Sequence, residues 1–271
     1  MGDLSAKTFR EERLKSIAER VMAGQAVYVN ALAEEFGVSP SSIRTDLNRL
    51  EDQGILKRTH GGAILADGLD GRLIATKLPF EARQQQLQVE KEAIGRATVA
   101  LIDDGDTIMI DGGSTTVYVA RHLGEKRGLT VITNAIALLP DLMAIPDAQV
   151  YVTGGLLDRG FVTLLGEVAL DTIGRFRTVK VILGMDGISA DAGLTVTNPA
   201  VAAIKRKMME AGGQLVVVSD HTKLGCISLY SLAPLSAMDT LITDAGASPD
   251  DVDAIRACGS HVIVAECKVD R

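Results

Sequence analysis

The sequence predicts an α/β protein of two domains: a small helical head, then a larger unit built on a mainly parallel sheet. Three observations carry that expectation. Residues 37–63 run as a tight turn, a short amphipathic helix and a basic, glycine-ended hairpin, the order of a helix-turn-helix followed by a wing. From residue 107 onward short apolar runs alternate with helical patterns, the sequence form of a parallel sheet covered by helices. Between them, residues 65–80 contain Gly68, Gly71 and Pro79 and read as a linker. A chain of 271 residues accommodates both units at about 100–200 residues per domain.

In the head, Phe9, Leu14, Ile17, Val21 and Met22 recur near the helical period and predict an amphipathic helix over 7–23, stopped by Gly24. Val27-Tyr28-Val29 is a short extended piece. Asn30 is expected to cap a second helix, with Leu32, Ala33 and Phe36 inward and Gly37 at its end. Ser39 caps the third helix, and Pro40 occupies its first position, where a missing N–H costs nothing. Ile43, Leu47 and Leu50 form one inward stripe. Ser39, Ser41, Ser42, Arg44, Thr45, Asn48 and Arg49 are left outside, as candidate contacts to a DNA duplex. Gly54 ends the helix, and the wing to Ile64 offers Lys57, Arg58 and His60 to phosphates or the neighbouring minor groove. The head is assigned to residues 7–64.

The larger domain, 81–267, opens with one long helix over Glu81–Leu101, whose glutamine-rich stretch from Gln84 to Gln88 faces solvent or joins the domains. Strands are expected at Thr107–Ile110, Thr130–Thr133, Val150–Thr153, Val179–Leu183, Gln214–Ser219, Thr240–Thr243 and His261–Val264. Helices are expected at Thr116–Leu123, Ile136–Met143, Gly166–Ile173, Pro199–Ala211 and Pro249–Cys258.

Composition bounds the function. The net charge of −7 is no argument against DNA, because residues 1–63 carry nine basic and nine acidic side chains and the whole excess lies beyond the head. No acid occurs from Gln53 to Ala66. Aromatics make up 3% and Trp is absent, which disfavours a stacking surface for RNA or single strands. No apolar run approaches the ~18–20 residues of a membrane span, and the amino-terminal residues do not read as a signal peptide. Cys226, Cys258 and Cys267 are scattered and suit free thiols in a reducing cytoplasm. His122 and His261 lack a second ligand at metal spacing, so neither a metal nor a cofactor is expected.

The chemistry of the second domain gathers at strand ends. Asp111, Gly112, Gly113, Ser114, Thr115 and Thr116 follow a buried strand and open a helix, where backbone N–H groups and hydroxyls can hold a phosphate. A plain strand-to-helix turn capped by Ser114 is the alternative. Thr133-Asn134, Gly154-Gly155, Asp186 and Asp220-His221-Thr222-Lys223 end other strands, and in open α/β sheets such ends line one crevice. Carboxylates accepting sugar hydroxyls and Lys223 neutralising phosphate would suit a small polyhydroxylated anion. In the basic triplet Lys205-Arg206-Lys207, the last two read as solvent-facing and Lys205 as the one able to reach the crevice.

These segments together resemble the DeoR family of bacterial transcriptional regulators. The resemblance runs from about residue 8 to 266. It is carried by residues 38–50, Arg58-Thr59-His60-Gly61-Gly62-Ala63, Asp111-Gly112-Gly113-Ser114-Thr115-Thr116, Thr133-Asn134, Gly154-Gly155, Gly193-Leu194-Thr195 and Asp220-His221-Thr222-Lys223. Departures are Ser42 and Thr45 where the family usually has threonine and arginine, and His221-Thr222 where it has serines. The resemblance implies a winged helix-turn-helix and a sensor domain similar to phosphosugar isomerases. It further implies a homodimer or homotetramer that represses sugar-catabolic genes and leaves operator DNA when a phosphorylated sugar or polyol binds. By the same resemblance residues 111–116 would hold the phosphate, with Lys205, Asp220 and Lys223 as charged pocket residues. Two alternatives stay open: an isomerase or deaminase using Asp111, Asp186 and Lys205 as acid and base, and a DNA-binding regulator sensing an unphosphorylated sugar alcohol or nucleoside.

Overall fold

The computed structural model describes residues 13–14, 16–18, 20–21, 26–52, 56–59, 61–65 and 79–267. The chain divides into two compact units, 1–78 and 79–271. Gly24, Gly54, His60 and residues 66–78 of the expected linker lie outside the described residues.

In the head, the described residues from 13 to 21 are helical (α1), followed by β1 (Val27–Tyr28), α2 (Val29–Glu35), α3 (Pro40–Asp52), β2 (Leu56–Thr59) and β3 (Gly62–Leu65). The strands form one antiparallel sheet in the order β1-β3-β2, so the wing hairpin gains a third strand from between the first two helices. That pairing changes one expectation. α2 begins at Val29 with Tyr28 in the capping position, not Asn30, because the Val29 amide donates to the Gly61 carbonyl at 2.9 Å. The wing turn thereby satisfies one of the free amides at the start of α2. Close approach of β1 also explains Gly62, where any Cβ would overlap the Val27 carbonyl. Ser39 caps α3 as expected, accepting the Ser42 amide at 3.2 Å. Ile17, Val21, Leu32, Ile43, Leu47, Leu50 and Leu56 close the head core. Beneath α3, buried Asp46 accepts from Arg13 Nε at 2.8 Å, tying the first helix to the third.

The larger unit starts with α4 (Phe80–Gln85) and α5 (Gln88–Val99), where one continuous helix was expected. Gln86 is extended and Leu87 left-handed (φ 51°), which breaks the helix. The ammonium of Lys91 stabilises the break by donating to the carbonyls of Arg83 (2.6 Å) and Gln86 (2.8 Å). Those carbonyls are freed by the break and need a donor.

Seven parallel strands follow: β4 (Thr107–Ile110), β5 (Thr130–Thr133), β6 (Gln149–Val152), β9 (Thr178–Gly184), β12 (Gly212–Val218), β14 (Thr240–Asp244) and β15 (His261–Ala265). Their order is β15-β14-β12-β9-β4-β5-β6. Side chains alternate faces at period two. Met109, Val181, Leu183 and Val217 pack beneath α8 (Glu167–Gly174), α9 (Pro199–Ala211) and α10 (Pro249–Ala257). Ile108, Ile110, Ile182, Val216 and Val218 pack beneath α5, α6 (Thr116–His122) and α7 (Leu139–Leu142). Strands covered on both faces, such as β4 and the second half of β12, read as apolar runs, while edge strand β6 is largely exposed. Two small antiparallel sheets not anticipated from the sequence complete the unit: β7 (Leu156–Asp158) with β8 (Thr163–Leu165), and β10 (Gly187–Ser189), β11 (Gly193–Val196) and β13 (Tyr230–Ala233).

Candidate functional site

In the head, one face of α3 is dry and the other is offered to solvent. Ile43, Asp46, Leu47 and Leu50 are buried, while Ser39, Ser41, Arg44, Thr45, Asn48 and Arg49 are exposed and Ser42 is half-buried. Three and four residues separate the buried positions, so the helix period alone sorts the two sets. Ser41 and Ser42 hydroxyls lie within hydrogen-bond distance of Ser39 Oγ (2.7 and 3.0 Å), and Thr45 Oγ1 donates to the Ser41 carbonyl. Lys57 is exposed on β2. Arg58 instead turns back onto α3, where its guanidinium donates to Asn48 Oδ1 and to the Arg44 carbonyl, and its Nε reaches the Gly62 carbonyl at 3.3 Å. The β2–β3 hairpin and α3 therefore form one polar surface.

In the larger unit, β4 is the first strand and has β5 on one side and β9 on the other. Chain order reverses there, and the carboxyl ends of β4 and β9 border the crevice where open α/β sheets place ligands. Asp111, at the end of β4, forms a buried ion pair with Lys205 of α9, although 94 residues separate them. Asp111 Oδ1 also accepts the Gly184 amide at 3.1 Å, and Lys205 Nζ donates to the Gly184 carbonyl at 2.8 Å. Burial pushes the Asp111 carboxyl above its ordinary value, with Lys205 and the Gly184 amide pulling the other way. Asp186, two residues beyond β9, accepts the Thr197 amide (2.9 Å) and hydroxyl (3.0 Å).

The loop between β4 and α6 leaves Gly112, Gly113 and Ser114 half-buried, while Thr115 and Thr116 are buried. Thr116 Oγ1 donates to the Gly113 carbonyl at 3.0 Å, an internal bond that shapes the loop. A Cβ at Gly112 would overlap the Thr163 methyl, so β8 presses directly against this turn. Thr133 donates to the Ile110 carbonyl, and Asn134 Nδ2 to that of Leu164, leaving Asn134 Oδ1 buried and without a partner. Gly154 and Gly155 form the turn from β6 to β7, with Gly155 against the Leu165 carbonyl.

At the end of β12, Asp220 is buried and accepts the Thr222 amide and hydroxyl. Burial would raise this carboxyl, but Lys223 and Lys91 hold it below its ordinary value. His221 pairs through Nδ1 with buried Asp244 at 2.7 Å. Lys91 and Arg83 are charged residues of this edge that strand-end reading did not find. Lys91 is 2% exposed and lies 4.0 Å from Asp220. Burial lowers its pKa to about 8 against the pull of Asp220. Both belong to helices, where a lysine or arginine in an otherwise polar stretch looks like solvent face.

Family models match both units. A DeoR-like helix-turn-helix domain fits residues 13–68, and a DeoR C-terminal sensor domain fits 86–245. The chain belongs to the DeoR family of transcriptional regulators. Relatives of this DeoR-family chain match along nearly their full lengths. The HTH-type transcriptional repressor GlcR of Bacillus subtilis is 31% identical over 259 residues, 95% of this chain and 97% of the relative. The glycerol-3-phosphate regulon repressor of Escherichia coli is 32% identical over 255 residues, 94% and 98% of the two chains. A ribose-5-phosphate isomerase in complex with phospho-erythronic acid superposes on 49% of this chain and 52% of its own, with TM-score 0.37 and 16% identity, too loosely to support an argument. Among the described residues, no group of three His, Cys, Asp or Glu is placed to hold a metal, and no helix is long and apolar enough to cross a membrane.

Proposed function

We propose that this regulator represses a sugar or polyol catabolic operon and leaves its operator when a phosphorylated sugar or polyol occupies the crevice at the carboxyl edge of the sheet. The observation that carries this reading is one chain combining an exposed polar face on α3 with a polar, charged crevice where the strand order reverses. Likeness to the glycerol-3-phosphate regulon repressor favours a regulon tied to a phosphorylated polyol, and likeness to the putative aga operon transcriptional repressor of E. coli, 29% identical over 257 residues, favours repression of an operon.

On the DNA side, Arg44, Thr45, Asn48 and Ser41 are the base-edge contacts, Lys57 and Arg49 meet phosphates, and Arg58, held on α3, orients Asn48. A single module of this kind binds weakly, so a homodimer or homotetramer presents two heads to half-sites about one helical turn apart. On the effector side, Ser114, the amides of residues 112–114 and Lys223 take the phosphate, and Asp186 and Asp220 order sugar hydroxyls. Release requires only that the effector bind one subunit arrangement better than the other. An isomerase reading is weakened because its acid and base are engaged: Asp111 and Lys205 hold each other, and Asp186 accepts from Thr197.

The test is a gel shift with the chain's own promoter against random duplex, repeated with sugar phosphates and with their unphosphorylated parents. Salt-sensitive preference for the promoter, relieved by a phosphate ester but not by its parent sugar, is the expected result. Relief by the parent alone would transfer the site to an unphosphorylated effector. No promoter preference at all would end the reading.

A further inference from the structure

Among the described residues of the sensor unit three cations are buried: Arg83, Lys91 and Lys205. Lys205 pairs with Asp111, and Lys91 lies 4.0 Å from Asp220, which half-buried Lys223 attracts through space. That leaves Arg83 of α4, which is 8% exposed and makes no ion pair with any other described residue. Its guanidinium lies over the ring of Phe161 at 4.7 Å and nearer the edge of that range over Phe80 at 5.8 Å. One nitrogen, Nη2, donates to the Gly160 carbonyl at 3.1 Å. Nε is buried with no hydrogen-bond partner. Asp186, Glu81 and Asp158 attract the group only through space. A buried cation with an unanswered donor is costly unless an anion completes it, and aromatic faces recover only part of that cost.

The surroundings of Arg83 belong to the crevice. Asp186 follows β9, at the reversal of strand order. Residues 160–163 lead into β8, whose Thr163 presses on the 111–116 loop. The neighbouring residue Gln84 is fixed through its carbonyl by the Tyr118 hydroxyl (2.8 Å), from the helix that the loop opens. The Arg83 carbonyl itself is held by Lys91, whose ammonium also faces Asp220. A planar guanidinium with an unanswered Nε–H is matched to an oxygen of a phosphate or carboxylate.

We propose that Arg83 is a ligand for the anionic group of the effector and that α4 is a clasp fastened by that contact. This rests on the reading of the crevice as the effector site. It adds a residue from outside the strand ends and gives the signal a route, because α4 is the first element of the sensor unit after residues 66–78. Lys91 works from below, positioning the Arg83 main chain.

The full-length chain and its Arg83→Gln and Arg83→Lys variants are titrated calorimetrically with inorganic phosphate and with ribose 5-phosphate. Melting curves without ligand check each fold. Arg83→Gln should bind whichever probe the wild type binds between about 10- and 100-fold more weakly, the worth of one charge-assisted contact. Arg83→Lys keeps the charge but loses the planar fork and should lose about tenfold. Amide exchange across residues 80–87 should slow on adding the probe to wild type and stay unchanged in Arg83→Gln. Binding by Arg83→Gln as tight as wild type overturns the inference alone. If Arg83→Gln does not fold, equal binding by Arg83→Lys and wild type overturns it. A wild type that binds neither probe, and whose promoter complex ignores both, overturns the effector reading together with the inference.

Discussion

Replacing Arg44 by alanine separates recognition from folding. Arg44 sits between buried Ile43 and Asp46–Leu47 on α3, with its own side chain exposed. Its carbonyl accepts from Arg58, an interaction the substitution leaves in place. Alanine is the strongest helix former, so the change in head stability should stay within about 0.5 kcal/mol. A bidentate contact from an arginine to a base contributes about 1–3 kcal/mol of discrimination. Two heads on a two-fold operator double that to about 2–6 kcal/mol, or roughly 30-fold to above 10⁴-fold in affinity. Fluorescence anisotropy with promoter and random duplex at one fixed salt concentration reads the loss, and a melting curve checks the fold. Loss confined to the promoter places Arg44 at a base edge. Equal loss on both duplexes, with a salt slope lowered by about one, makes it a phosphate contact. Unchanged affinity with an unchanged melt refutes any role at the interface.

Asp111→Ala strands Lys205 as a buried cation with only the Gly184 carbonyl, a cost of about 3–5 kcal/mol. At roughly 2–4 °C per kcal/mol for a unit of this size, calorimetry should show the sensor melting about 6–20 °C lower, and a change of a degree or less would mean the pair is not holding the crevice together. Ser114→Asp puts a negative charge in the half-buried loop and should abolish release by phosphate esters while promoter binding persists; normal release in a gel shift would remove the loop from the site. Gly62→Val drives a side chain into the Val27 carbonyl, so β1 must leave the wing, and circular dichroism should show a head that melts lower and no longer retains promoter DNA. Lys91, held near 8 instead of 10.5, binds fewer protons folded than unfolded between those values. The penalty is therefore fully present below about pH 8 and is relieved as pH rises toward 10.5. Wild type should gain stability on Lys91→Met across that window in denaturant titrations, and parallel curves would exclude the shift.

Local periodicity determined a great deal in advance. Ile43, Leu47 and Leu50 announced the buried face of α3 and thereby its exposed one, because a helix sorts residues by spacing alone. Apolar runs such as Leu215–Val218 identified strands covered on both faces, and the polar residues ending them marked the crevice edge. What the chain could not declare locally depends on which strands become neighbours. The order β9-β4-β5 is decided by long-range packing, and only that order brings Asp111 to Lys205 and places both where the chain reverses direction. Asn30 lost its capping role because β1 pairs with β3, a contact between segments more than thirty residues apart. The break after Gln85 is more local but no easier to read: a polar, glutamine-rich stretch carries no stop signal, and Lys91 folds back to donate to the freed carbonyls of Arg83 and Gln86. Arg83, beside that stretch, carried no signal in its spacing. A charge becomes conspicuous only when tertiary packing removes the water around it, and spacing along the chain does not measure water.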